Sequence, residues 1–149
     1  LIMEAIAIAA ALAATAAVAG GVMGAKGAMA SGKAAYTAGQ VEYHQELEKT
    51  HYNVKIRQRE MLAAMHYQMA QAGGSGAAAD VGSPLFGMMK TLNDLEEDKA
   101  QMYRTGAKNA HKLWLAGADK FSASQYQATS SLLSGISGAA SSYTAYKKG

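Results

Sequence analysis

The chain has no cysteine, a single proline, one tryptophan and two phenylalanines among its 149 residues. Without cysteine there is neither a disulfide framework nor a thiolate metal site, and the redox compartment is left open. Pro84 is the only proline, and the β-branched residues are scattered. Long runs of Ala, Met, Leu, Gln, Glu and Lys are therefore uninterrupted, which favours helix over strand. Large core-forming side chains are scarce as well. Hydrophobic residues make up 50% of the chain, but Ala supplies many of them, and an isolated monomer of this composition buries little apolar area per residue. The missing core has to come from other copies, from a partner or from lipid. Charge is sparse at 17%, with a net +3 and a pI near 9.1. That balance permits contact with nucleic acid or anionic lipid without being a footprint of either.

What is present falls into four zones: an Ala/Gly-rich segment (1–35), an amphipathic helix (36–72), a Gly/Ser loop (73–84), and a second long helix with a Ser/Gly/Ala-rich tail (85–149). Met3 is a candidate initiator. The apolar run that follows is preceded by Glu4 rather than by positive charge, which argues against a cleaved secretory signal. The loop reads "GGSGAAADVGSP", dense in turn and break signals. Gly73 and Gly74 suit a helix end, Gly82 or Ser83 a cap, and Pro84 a first helical turn. The expected fold is all-α: a long helical hairpin with Ala/Gly-rich ends, assembling as an oligomer. An unbroken first helix would be on the order of 100 Å long, and the glycines predict a kink or break near Gly20-Gly21 or Gly39.

Two stripes support the hairpin. Tyr43, Leu47, Val54, Met61, Met65 and Met69 fall near one face of the first helix. Met88, Leu92, Leu95, Met102, Gly106, Ala110, Leu113, Gly117 and Phe121 do so in the second, in steps of three, four or seven. Both stripes are narrow and of small-to-medium residues, which suits coiled-coil-like packing.

The strongest motif is a set of small-residue rows. Ala16, Gly20, Gly24, Ala28 and Gly32 recur every four residues, as do Ser131, Gly135 and Ala139, and again Ser134, Gly138 and Ser142. Such rows let helix backbones approach closely, in a bilayer or out of one, although Ala-rich composition alone also generates them. From Ala5 to Ala25 there are 21 residues without charge, matching the ~20 needed to cross a hydrocarbon core. Ala and Gly contribute little transfer free energy. The segment is long enough to span but weakly apolar, and would enter a membrane better as part of an oligomer.

Other features favour solvated roles over chemistry. His44 and His51, with Glu48 between them, share a helical face, but no HExxH pattern exists and no metal site or cofactor is expected. The carboxylates Asp94, Glu96, Glu97 and Asp98 have no accompanying nucleophile and read as a solvated helix start that complements the dipole. The glycines of the loop lack the order of a phosphate-binding loop. Basic residues Lys55, Arg57 and Arg59, then Arg104, Lys108 and Lys112, form two modest patches, with Tyr103 and Trp114 near the second. Arg57, Arg59, Arg104, Lys108 and Lys112 are candidate contacts for DNA or a partner, with interhelical salt bridges as the plainer role.

The order of features resembles the small internal virion proteins of short-tailed bacteriophages, the ejection or DNA-transfer proteins carried inside the capsid. The likeness runs through the Ala/Gly segment, the helix "GQVEYHQELEKTHYNVKIRQREMLAAM", the loop with "GGSG" and "GSPL", the second charged helix and the Ser/Gly/Ala tail with its Tyr-Lys end. The resemblance implies a non-enzymatic protein, stored in the virion interior and expelled into the host cell envelope. There it would oligomerise and help form a conduit for the genome. Its implied partners are copies of itself, other virion proteins such as portal, tail or other ejection proteins, the host membrane, and DNA contacted non-specifically. Two readings from other classes stand beside it: a soluble scaffolding or adaptor subunit of a virion or secretion assembly that never enters lipid, and a toxin-like or holin-like pore former that needs only its own chain.

Overall fold

A computed structural model describes residues 2–74 and 83–148. The fold is all-α: α1 (Ile2–Gly74) and α2 (Ser83–Lys148) pack as a helical hairpin. The described part of segment 1–35, from Ile2 on, and segment 36–72 thus lie on one helix. Gly73 and Gly74 complete α1, Ser83 and Pro84 open α2, and the middle of the expected loop, 75–82, lies outside the described residues.

The break expected near Gly20-Gly21 or Gly39 does not occur; α1 is continuous through both. Glycine inside a helix costs about 0.5–1 kcal/mol relative to alanine. At Gly21 that cost is offset by a close approach that only glycine allows, and Gly39 stands opposite Gly117, where a Cβ would meet its Cα. The acidic cluster is also displaced from where it was expected. No acidic residue stands in the first turn of α2, and Asp94–Asp98 sit turns further in, where the dipole no longer acts.

The chain divides into two compact units, Leu1–Gln40 with Trp114–Gly149 and Val41–Leu113. In the first, the terminal unit, α1 buries Gly21, Ala25, Ala28, Gly32 and Gly39, and α2 buries Gly117, Ser124, Ala128 and Gly135. The steps are four, three, four and seven on α1 and seven, four and seven on α2, the heptad-like spacing of an antiparallel seam of small residues. Its core is a cluster of three alanines, Ala25, Ala28 and Ala128. Tyr36 meets Phe121 at a ring separation of 5.8 Å.

In the second, the loop-side unit, the seam carries larger residues. Thr50 and Val54 on α1 and Met88, Leu95, Gly106 and Ala110 on α2 are buried. Tyr43, Leu47, Met61, Met65, Met102 and Leu113 are half-buried beside them, whereas Met69 and Leu92, at the edges of their stripes, are exposed. Val54, 2% exposed, is the most enclosed large side chain of this seam, and its burial is worth about 2 kcal/mol. Among the described residues no large side chain is fully buried. Two helices have only one face each to offer the other, so the rest of their apolar surface is left uncovered by the chain itself.

Candidate assembly interface

In the terminal unit the two backbones touch. A Cβ placed on Gly21 would lie 2.8 Å from the Ser131 carbonyl oxygen and 3.0 Å from the Gly135 Cα. One placed on Gly135 would lie 2.9 Å from the Ala17 carbonyl oxygen and 3.1 Å from the Gly21 Cα. Gly117 stands in the same relation to α1, with a Cβ there 3.1 Å from both the Ala35 carbonyl oxygen and the Gly39 Cα. Between these glycine pairs, Gly32 receives the Ser124 side chain, whose Cβ would be 2.6 Å from an added Cβ. Each pair advances along α1 by as many residues as it retreats along α2, so the antiparallel register holds through this unit without slip.

The row that the sequence offers at a fixed spacing of four does not follow this seam throughout. Ala28 and Gly32 are buried in it, Gly135 is buried opposite, and Ser131 and Ala139 are half-buried. Gly24 is exposed at the edge, with Ser131 Oγ 3.3 Å from where its Cβ would stand. Gly20 faces open space, and Ala16 is exposed. The reason is geometric: at 3.6 residues per turn, a step of four overshoots by about 40°. A row that keeps that step rotates off the partner helix after three or four members. The glycine in contact is Gly21, not its neighbour Gly20. The signal that finds Gly21, Ala25 and Gly39 is the alternation of four with three.

The polar side chains of the α2 tail are turned inward onto their own helix. Ser124, Thr129, Ser134, Ser137, Ser141, Ser142 and Thr144 each donate a hydroxyl hydrogen bond to a carbonyl three or four residues back, at 2.6–3.0 Å. On α1, Ser31 and Thr37 do the same, at 2.8 and 3.0 Å. A hydroxyl whose proton is used this way needs no outside acceptor, which lowers the cost of placing a serine-rich helix surface beside an apolar neighbour.

The candidate basic contacts separate on inspection. Arg57 belongs to the loop-side seam: its Nε and Nη2 donate to Asp98 Oδ2 at 3.1 and 2.9 Å, and its Nη1 stands 3.6 Å from Glu60. The hydrogen bond and charge of Asp98 raise the guanidinium above its ordinary range, so it stays charged at any pH at which the protein is handled. Stability from a raised basic group is lost only as pH climbs through that raised value, so no loss from Arg57 is expected at neutral pH. Arg57→Gln should lower the thermal midpoint only slightly, because both side chains are about 40% exposed. The deficit should shrink by more than half between low salt and about 1 M NaCl, where screening acts within ~3 Å. Circular dichroism melts at the two salt concentrations check this, and a deficit that salt does not touch would argue against an electrostatic role.

Arg59, Arg104, Lys108 and Lys112 are exposed and form no ion pair among the described residues. Tyr103 is turned instead toward α1, with its hydroxyl 3.2 Å from His51 Nδ1. Among the described residues no cluster of three His, Cys, Asp or Glu is placed to hold a metal ion.

A large share of the apolar surface is uncovered. In the terminal unit Leu12, Met23, Leu133 and Ile136 are each at least 60% exposed, and Tyr126 reaches 79%. In the loop-side unit Phe86 is 74% exposed. By length and composition, α1, over Ala11–Gly74, is the one helix among the described residues with a window apolar enough to cross a membrane, and 17% of that window is buried. No family model, no curated protein and no solved structure matches this chain.

Proposed function

We propose that the protein is a non-enzymatic assembly subunit whose hairpins oligomerise and associate with membrane, serving as an internal virion or ejection protein that helps form a conduit for phage genome delivery across the host envelope. One quantity carries the assembly part of this reading. The chain exposes 10703 Å², whereas a compact monomer of 15.5 kDa would expose roughly 7,200 Å². The surplus, roughly 3,500 Å² per chain, is on the scale of obligate subunit interfaces. It includes the uncovered Leu, Ile, Met and Tyr side chains named above, which solitary soluble domains rarely collect on this scale.

The membrane part is supported by the 21 uncharged residues from Ala5 to Ala25, by the apolar window in α1, and by the self-satisfied hydroxyls of the α2 tail. The phage part rests on the resemblance in the order of features. In this reading the exposed Arg59, Arg104, Lys108 and Lys112 are free to meet DNA or another virion protein. Arg57 is already engaged within the chain.

The test is a native mass measurement of the purified protein, followed by dye release from liposomes. A discrete oligomer that releases dye is the expected result. An oligomer that ignores lipid under all conditions favours the scaffolding or adaptor reading, and a stable monomer without affinity for vesicles removes the proposal.

A further inference from the structure

The surface of the terminal unit is cationic as well as apolar. On α1 no carboxylate occurs between Glu4 and Glu42, and on α2 none follows Asp119. Lys26 and Lys33 are exposed and form no ion pair among the described residues. They are seven residues apart, hence on one face of α1. Between them and α2 runs an open groove of about 720 Å³, walled by Val22, Met29 and Leu132 over a floor of Ala25 and Ala128. The slot is thus apolar inside and positive along one rim.

We infer that this groove binds an anionic phospholipid, with an acyl chain along Val22, Met29 and Leu132 and the phosphate-bearing headgroup against Lys26 and Lys33. Charge decides between the occupants. A second copy that brought its own terminal unit here would add more lysines than carboxylates, since 1–40 and 114–149 hold five lysines against Glu4 and Asp119. Like charges would then meet across an apolar contact, a costly arrangement. An anionic lipid supplies the missing negative charge together with hydrocarbon to cover Val22, Met29 and Leu132. Basic residues near an anionic surface each contribute to binding and are screened by salt. The inference rests on the membrane-associated reading above and specifies which lipid that membrane must contain.

Flotation of the full-length protein with vesicles of neutral phosphatidylcholine, and with vesicles containing about 30% phosphatidylglycerol, tests it. Wild type should bind the anionic vesicles at least tenfold more tightly, and the advantage should fall as salt is raised. Lys26→Gln with Lys33→Gln should lose most of the advantage, up to roughly 30-fold, while keeping wild-type binding to neutral vesicles and a wild-type helical signal. Leu132→Gln should weaken binding to both. Lys90→Gln with Lys99→Gln, the same change of charge in the loop-side unit, should leave the advantage in place. Equal binding of wild type to the two vesicle types overturns the lipid selectivity but leaves membrane association standing. Binding to neither overturns both. Equal losses from the two lysine pairs overturn the groove as the site.

Discussion

Replacing Gly21 by valine is expected to lower the thermal midpoint by roughly 10 °C or more, whereas Gly20→Ala, one position away, should raise stability by about 0.5–1 kcal/mol. The opposite signs follow from what each position faces. At Gly21 a Cβ alone would stand 2.8 Å from the Ser131 carbonyl oxygen and 3.0 Å from the Gly135 Cα. These are backbone atoms, which no rotamer change can move. The added side chain is accommodated only by separating the helices. That removes the contacts of Ala25, Ala28 and Ala128 with it, for about 3 kcal/mol at the upper end of overpacking costs. At Gly20 there is nothing within 4 Å, so alanine gains helix propensity without a clash. Gly135→Val should behave as Gly21→Val, because the contact is reciprocal. Circular dichroism melts of the variants check the contrast. If Gly20→Ala destabilised as strongly as Gly21→Val, the backbone contact at Gly21 would not be what sets the register.

The second large effect is a size exchange in the loop-side unit. A Cβ on Gly106 would lie 2.7 Å from the Thr50 Cβ, and Thr50 is held in place by its own hydrogen bond to the Glu46 carbonyl at 2.8 Å. Gly106→Ala should therefore cost about 2 kcal/mol despite alanine's better helix propensity. Thr50→Gly alone should cost about 1 kcal/mol, through lost packing and a second seam glycine. The double variant, Thr50→Gly with Gly106→Ala, should return to within about 1 kcal/mol of wild type. The coupling energy in this cycle should then be near 2 kcal/mol, within the range measured for residues in contact. Denaturant unfolding of the four proteins measures it. Additive losses would mean that Thr50 and Gly106 do not share the space assigned to them.

Along the seam the two units differ in how far the sequence reveals which residues are inside. The loop-side stripe was legible: Val54, Met88, Leu95, Gly106 and Ala110 are buried, because medium and large apolar residues among charged ones leave one possible inner face. The terminal unit was less so. From Ala5 to Ala35, 22 of the 31 residues are Ala, Gly, Ser or Thr, so several faces present similar rows and periodicity does not single one out. The row through Ala16, Gly20 and Gly24 is as regular in the sequence as the one through Gly21, Ala25, Ala28 and Gly32.

The basic residues show the same divide. All five candidates looked alike as charges on helices, yet Arg57 meets Asp98 across the seam while Arg59, Arg104, Lys108 and Lys112 do not. Position 57 lies at the seam's edge and within reach of a carboxylate, a fact about two helices rather than one.

The sequence by itself determined that the chain is helical, that two long helices part within 73–84, and that neither can enclose a core of its own; the further break it predicted in the first helix does not occur. Propensity, Pro84 with the glycines at 73, 74 and 82, and the shortage of large apolar residues are local properties and need no partner to be read. Only the tertiary structure decided which glycines touch, that α1 runs unbroken through Gly20-Gly21 and Gly39, and which flank carries Lys26 and Lys33 beside an apolar slot. Each of these depends on the rotation of one helix against the other, and small residues constrain that rotation only when both backbones are in place.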